Sequence, residues 1–170
     1  FEKKSFDIKA DPFESVLLSK GKDITIVSTS IMTLECMRAI SFLNKQGITV
    51  DLIDLNSISH PNHDMILQSV KKTGRLLVVD TSWKEYGVCS EINRIINEKN
   101  PHLLKNPVMS LGMQKASCPT AKSLEDIFYP DVHDIVKNCY ILLKIFNKSN
   151  DNIPKKQPMT DYYKHFKGPF

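Results

Sequence analysis

Strand-like and helix-like segments alternate along residues 24–146, and that alternation constrains the fold more than any other property of the chain. Short β-branched or aliphatic runs recur between segments whose apolar residues repeat with a helical period. This pattern selects a mainly parallel sheet with helices on both faces and right-handed crossovers. Residues 24–27 (ITIV) form one such run, and Met32, Cys36, Ala39, Ile40 and Leu43 then mark one face of a helix. The hydroxyls of Ser28, Thr29 and Ser30 are offered as its caps, and Gly47 is placed to end it. Residues 48–55 (ITVDLIDL) read as a strand, and Met65, Ile66 and Val70 as a helix opened near Pro61 and Asn62 and closed by Gly74. Residues 75–79 (RLLVV) are apolar enough for a strand buried on both faces. Val88, Ile92, Ile95 and Ile96 mark a helix that stops before Pro101, and residues 107–111 (PVMSL) a short strand. A last helix carries Val132, Ile135, Val136, Cys139, Leu142, Leu143 and Phe146 on one face, with Asp131 as N-cap and Asp134 three residues on. Upstream, residues 15–19 (SVLLS) and 24–27 flank Gly21 in a way that suits a tight reversal, so these two runs are expected to pair antiparallel. The predicted fold is a three-layer α/β domain: a mostly parallel five-stranded sheet with one antiparallel edge strand and helices on both faces.

With 170 residues, 41% of them apolar, the chain suffices for one core and is short for two. The domain is expected over residues 13–146, after a linker at 1–12 and before a polar, basic tail at 147–170. Five lysines (148, 155, 156, 164, 167) against two aspartates (151, 161) give that tail +3 of the net +4, so the body is near neutral. A near-neutral body with no basic stripe and one tryptophan argues against a nucleic-acid surface. Cys36, Cys89, Cys118 and Cys139 lie far apart without a CxxC pair, which suits free thiols in a reducing compartment. No run approaches the length of a membrane span, and the start FEKKSFDIKADPF is too polar for a signal peptide. A soluble protein of the cytoplasm or an organelle matrix, not secreted, is expected. The first residue is Phe1 rather than methionine, which suggests a piece of a longer chain.

The first strand-to-helix turn of a doubly wound sheet is where nucleotides often bind. Here it reads Ser28-Thr29-Ser30-Ile31-Met32, with no glycine to let a pyrophosphate approach, and neither a GxGxxG nor a P-loop occurs elsewhere. The hydroxyls there suit helix capping first and a small-anion site second. His60 and His63 beside Asp64 have no third ligand at a diagnostic spacing. His133 reads as an exposed first-turn residue rather than a general base. Cys89 falls near a helix N-terminus but has no partner histidine, so an inert thiol is the simpler reading. Glu91 and Glu125 are the better-placed acids, too far apart in sequence to be paired by inference. Physical reading alone names no reaction.

Residues 21–58 (GKDITIVSTSIMTLECMRAISFLNKQGITVDLIDLNSI), 70–83 (VKKTGRLLVVDTSW), 87–98 (GVCSEINRIINE) and 118–136 (CPTAKSLEDIFYPDVHDIV) resemble, in order, the C-terminal domain of transketolase-like thiamine-diphosphate enzymes. The wording is closest to the β-subunit of 2-oxo acid dehydrogenases, and residues 121–135 to the pyruvate branch. The resemblance implies oxidative decarboxylation of a 2-oxo acid with acyl transfer to lipoamide, carried out by a larger assembly. Thiamine diphosphate and magnesium bind between other domains in that family, one of them marked by a GDG motif, which this chain lacks. The glutamate that activates the cofactor belongs to the domain expected upstream of Phe1.

The resemblance therefore implies a role in assembly, with no catalytic, cofactor or metal ligand in this chain. The implied partners are a second β-subunit, an α-subunit or upstream domain, and a dihydrolipoyl acyltransferase. Asp80, Trp83, Gly87 and Glu91 at one strand-to-helix turn, and Pro119, Lys122, Glu125 and Pro130 in a later loop, match the family pattern and carry the expected domain and subunit contacts. Turn geometry, capping and local ion pairs are the simpler alternative for each. Two departures stand out: the turn that often reads GGW is Thr81-Ser82-Trp83, and the chain continues through Phe170. Competing readings are a free-standing regulatory module with a small-anion site at residues 28–30, and the same domain in an enzyme moving aldehyde groups between sugars.

Overall fold

The computed structural model describes residue 11, residues 13–125, 127–145 and 153–156. Its elements follow in the order β1 Val16–Ser19, β2 Ile24–Ser28, α1 Ile31–Lys45, β3 Val50–Asp54, α2 His63–Thr73, β4 Leu76–Val79, α3 Val88–Lys99, a 3-10 turn Pro101–Leu103, β5 Met109–Leu111, α4 Lys122–Glu125 and α5 Val132–Leu143. The five strands lie in the order β1-β3-β2-β4-β5. β3, β2, β4 and β5 are parallel, and β1 is an antiparallel edge strand.

β1 pairs with β3, not with β2 as the turn at Gly21 suggested. β2 has both edges occupied, by β3 and β4, and all five of its residues are buried. A hairpin partner would displace one of those parallel neighbours. Instead the linker crosses the amino end of β3: Gly21 N–H donates to Asp51 Oδ1 at 2.8 Å, Lys22 N–H to Thr49 Oγ1 at 3.1 Å, and the Asp23 carboxylate accepts from Thr49 N–H and hydroxyl. A Cβ on Gly21 would stand 2.1 Å from Val50 N, so this close crossing requires glycine.

The core divides across the sheet, as period-two strands require. Ile24, Ile26, Leu52, Leu77 and Val79 pack under α1 and α5, while Val27, Ile53, Leu76 and Val78 pack under α2 and α3. Beneath α2 lies a buried polar chain. Thr25 Oγ1 is 2.7 Å from Ser69 Oγ and 2.8 Å from Thr73 Oγ1, Ser69 donates to Asp51 Oδ2 at 2.5 Å, and Lys72 Nζ reaches the same carboxylate at 2.6 Å. Burial pushes the Asp51 carboxyl up, but the bonds from Gly21, Lys72 and Ser69 outweigh it and hold the group below its ordinary range.

Helix ends mostly follow the predicted signals. Asn62 caps α2 through Met65 N–H, and Gly74 closes it at φ 70. Asp131 and Asp134 form a complete capping box on α5. α1 differs: Ser30 sits at φ 53 and makes no side-chain cap bond. The hydroxyls of Ser28 and Thr29 turn inward, Ser28 to Thr33 Oγ1 at 3.0 Å and Thr29 to Asp80. His133 is half-buried rather than exposed, because residues 153–156 return to cover it. Phe146, residues 1–10 and the aromatic-basic end 159–170 lie outside the described residues. The four cysteines are free, with Cys118 exposed and the others buried.

Candidate functional site

The carboxyl ends of β2, β4 and β5 converge on Asp80, the residue after β4, which is only 4% exposed. Its N–H donates to the Leu111 carbonyl at 3.0 Å, tying β4 to the end of β5. Its carboxylate accepts from the Thr29 hydroxyl on one oxygen and the Ser82 hydroxyl on the other. Asp80 thus joins the turn after β2 to the loop after β4. Two of the three hydroxyls in the small-anion reading are engaged, Ser28 with Thr33 and Thr29 with Asp80, and they place a carboxylate beside the turn. That arrangement repels an anion.

Beyond Ser82 the loop is fixed by close packing. A Cβ on Gly87 would lie 2.4 Å from the Trp83 carbonyl oxygen and 2.6 Å from Ser82 Oγ, and one on Gly112 would lie 2.4 Å from the Ser82 carbonyl oxygen. Met113 N–H donates to that Ser82 carbonyl at 3.1 Å, and Gln114 N–H to the Phe128 carbonyl at 3.0 Å. A Glu85–Lys115 ion pair at 2.9 Å also links the two loops. The bond from Lys115 also lowers the Glu85 carboxyl below its usual range. The loop after β4 and the first residues after β5 are therefore held together.

The segments after β4 and β5 expose apolar groups. Trp83 is 47% exposed, Leu124 52%, Ile127 57% and Tyr86 fully exposed. Tyr86 also sits at φ 61, in the left-handed region that disfavours a side chain. Its N–H is held by Ser90 Oγ at 3.0 Å, and Ser90 in turn donates to the Lys84 carbonyl at 2.6 Å. An aromatic held in a strained conformation and pointed at solvent is arranged for contact rather than for its own core.

The structure brings Asp80, Trp83 and Gly87 together in one loop with different parts: Asp80 as the buried tie, Gly87 as the close approach, Trp83 as exposed surface. Glu91 is turned away from them. It lies in the first turn of α3 and pairs with Arg94 at 2.6 Å, and Arg94 also binds Glu98, a surface ion-pair row along one helix. Pro130 is buried and leads into the Asp131 cap, while Pro119 is half-buried in the loop beside Cys118. Lys122 and Glu125 bound α4, and their side chains lie outside the described residues. Cys89 is buried, 3.6 Å from the Leu111 carbonyl; burial and then the Asp80 charge push its thiol up to about 12, so it is not a nucleophile at neutral pH. Sequence reading missed Tyr86, Gly112 and Lys115. A bulky residue directly before Gly87 was the one available hint of a turn.

Residues 14–135 match the family model described as "Transketolase, C-terminal domain". The chain is 33% identical over 146 residues to the pyruvate dehydrogenase E1 component subunit beta of Rickettsia bellii, covering 81% of this chain and 45% of that protein. It is 35% identical over 118 residues to the mitochondrial subunit beta-1 of the same enzyme component from Arabidopsis thaliana, covering 69% of this chain and 32% of that protein. The chain thus spans less than half the length of either relative. Among solved structures, the one titled "Split gene transketolase, inactive beta4 tetramer" superposes with a TM-score of 0.73 at 24% identity, covering 83% of this chain and 46% of that one.

Proposed function

This chain belongs to the family of transketolase C-terminal domains, and from that premise we propose that it is the contact domain of a thiamine-diphosphate-dependent 2-oxo acid dehydrogenase. The reaction proposed for the whole assembly is oxidative decarboxylation of a 2-oxo acid, pyruvate first among them, with the acyl unit passed to lipoamide. The two relatives at 33% and 35% identity, both named as pyruvate dehydrogenase subunits, support this choice over sugar aldehyde transfer.

One observation carries the role in assembly: the loop after β4 is locked to the start of the loop after β5 and presents Trp83 and Tyr86 outward, with Leu124 and Ile127 also exposed further along the chain. Holding these side chains rigid in advance reduces the entropy lost on association. The matching partner is apolar at its centre, as for a second β-type subunit, an α-subunit or an upstream domain. A dihydrolipoyl acyltransferase is a further candidate for a neighbouring face. Lys122, Glu125 and Pro119 belong to the rim of the same surface in this reading.

The carboxyl edge of the sheet does not fit a diphosphate. Its first turn has no glycine and the Asp80 carboxylate closes it, so thiamine diphosphate and magnesium would sit on other segments of the assembly. Among the described residues no helix is long and apolar enough to cross a membrane. A cytoplasmic or matrix location is proposed with the function.

Sedimentation of the protein purified from its source tests this reading. The chain should travel in a complex of more than one subunit that oxidises pyruvate when supplied with thiamine diphosphate. Trp83→Ser with Tyr86→Ser should release a folded chain from that complex. A native protein that sediments as a monomer would sink the proposal.

A further inference from the structure

Residues 153–156 return to the domain they follow. α5 closes with Lys144 in the left-handed region, and the chain is next described beside the amino end of the same helix. Ile153 packs against the α1–α5 core cluster. The Pro154 carbonyl lies 2.9 Å from His133 Nδ1, and Lys156 Nζ lies 3.5 Å from Asp134 Oδ2. A carbonyl only accepts, so His133 carries a proton on Nδ1 in this state. The eight chain steps from Ile145 to Ile153 can span up to about 26 Å. The 12 residues of α5 rise only about 18 Å, so a return within one chain is well within reach.

Three features of this site suit an extended segment. An apolar seat receives an aliphatic side chain, His133 aims a donor at the next backbone carbonyl, and Asp134, ordered by the capping box, takes a cation two residues later. Side chain, backbone and charge are each read once. The groove also exceeds its occupant: a cavity of about 300 Å³ continues between α1 and α5, lined by Arg38, Ser41, Phe42, Lys45, Val132 and Pro154. The hold is weak. The strap is held by a half-buried aliphatic residue, one hydrogen bond and an ion pair whose lysine is 45% exposed, contacts that a competing segment can replace one for one.

We propose that the α1–α5 groove is a docking site for an extended segment in which an aliphatic residue and a proline are followed by a cation. Residues 153–156 occupy it in cis, and a partner chain bearing such a segment gains the groove by displacing them. The groove lies on the α1–α5 face of the sheet, and the proposal does not depend on the assembly role of the Trp83–Tyr86 loop.

The test uses the full chain and a fluorescein-labelled peptide of residues 151–158 (DNIPKKQP). Ile153→Asp detaches the strap without altering the groove. With the strap at an effective concentration on the order of 1 mM, a peptide of about 100 µM intrinsic Kd should bind Ile153→Asp about tenfold more tightly than the unaltered chain. Asp134→Lys in the Ile153→Asp background should weaken binding again, and a peptide with Asp in place of its isoleucine should not bind. Equal binding to the unaltered and Ile153→Asp chains overturns the proposal, as does absence of binding to a folded Ile153→Asp chain. Lys156→Glu loosens the strap from outside and serves the same comparison should Ile153→Asp fail to fold.

Discussion

Two buried carboxylates, Asp51 and Asp80, bind hydroxyl groups in similar ways at opposite ends of the sheet, yet they serve different purposes. Asp51, 1% exposed at the amino end of β3, gathers Ser69, Gly21 and Lys72 and joins β1's linker, β3 and α2 into one packed unit. Asp80, 4% exposed at the carboxyl end of β4, gathers Thr29 and Ser82 and fixes loops whose outer face is apolar and open. The first network lies beneath a helix. The second supports a surface on which Trp83 and Tyr86 are exposed among the described residues. A buried carboxylate is therefore no marker of function by itself; what its partners hold up decides that.

If that contrast is right, Asp51 substitutions should affect stability and carboxyl-edge substitutions should affect association. Asp51→Ala leaves the Gly21 N–H and Ser69 hydroxyl without their acceptor and should cost about 3 kcal/mol, read as a lower urea midpoint at unchanged slope. Association of the folded fraction should be unchanged. Gly87→Ala forces a methyl group to 2.4 Å from the Trp83 carbonyl oxygen. The loop must shift, at a cost of about 1–3 kcal/mol, and the displaced Trp83 and Tyr86 should weaken association more than the stability loss explains. Equal losses from the two variants in both assays would erase the distinction.

Acid sharpens the comparison with a smaller effect. The folded-state carboxyls of Asp51 and Asp23 lie below their ordinary values: burial raises each, and bonds from Gly21, Lys72 and Ser69, or from Thr49, outweigh it. Such groups contribute stability that is fully present above the unfolded carboxylate pKa of about 3.9 and is lost as pH falls through the lower folded values. Urea midpoints should hold flat from pH 7 to about 5 and drop below about 4. Asp51→Asn should lessen that drop, and an equally steep drop in this variant would remove Asp51 from the account.

These networks also mark the limit of what the sequence makes legible. The alternation of residues 24–145 reports strands, helices and their faces because each is a local pattern, and the caps at Asn62 and Asp131 are local too. The partner of β1 is not local. It depends on which strands claim β2's edges, a competition among segments far apart in the chain. In the same way the three hydroxyls before α1 are plain in the sequence, but the Thr29 hydroxyl meets a carboxylate 51 residues further on, which capping statistics cannot register. Within the candidate site, Asp80, Trp83 and Gly87 were visible through resemblance. Glu91 was visible in the same way, and its i,i+3 pairing with Arg94 answers its charge within the helix.

Tyr86 gives the smallest stability effect and the one whose sign discriminates best. A non-glycine residue in the left-handed region carries a penalty of about 1–2 kcal/mol, and glycine there avoids it while adding back roughly 0.4–1 kcal/mol of unfolded-chain entropy. The Tyr86 ring is fully exposed, so its removal takes away almost no packing within the chain. Tyr86→Gly should therefore leave the chain as stable as before or slightly more stable, by up to about 1 kcal/mol, while weakening association. A side chain kept only for the fold would give the opposite pair of results. If Tyr86→Gly lowers the melting temperature and leaves association unchanged, the strained aromatic belongs with the Asp51 network as packing. A rise in stability with a loss of association means the strain persists because a partner uses the ring.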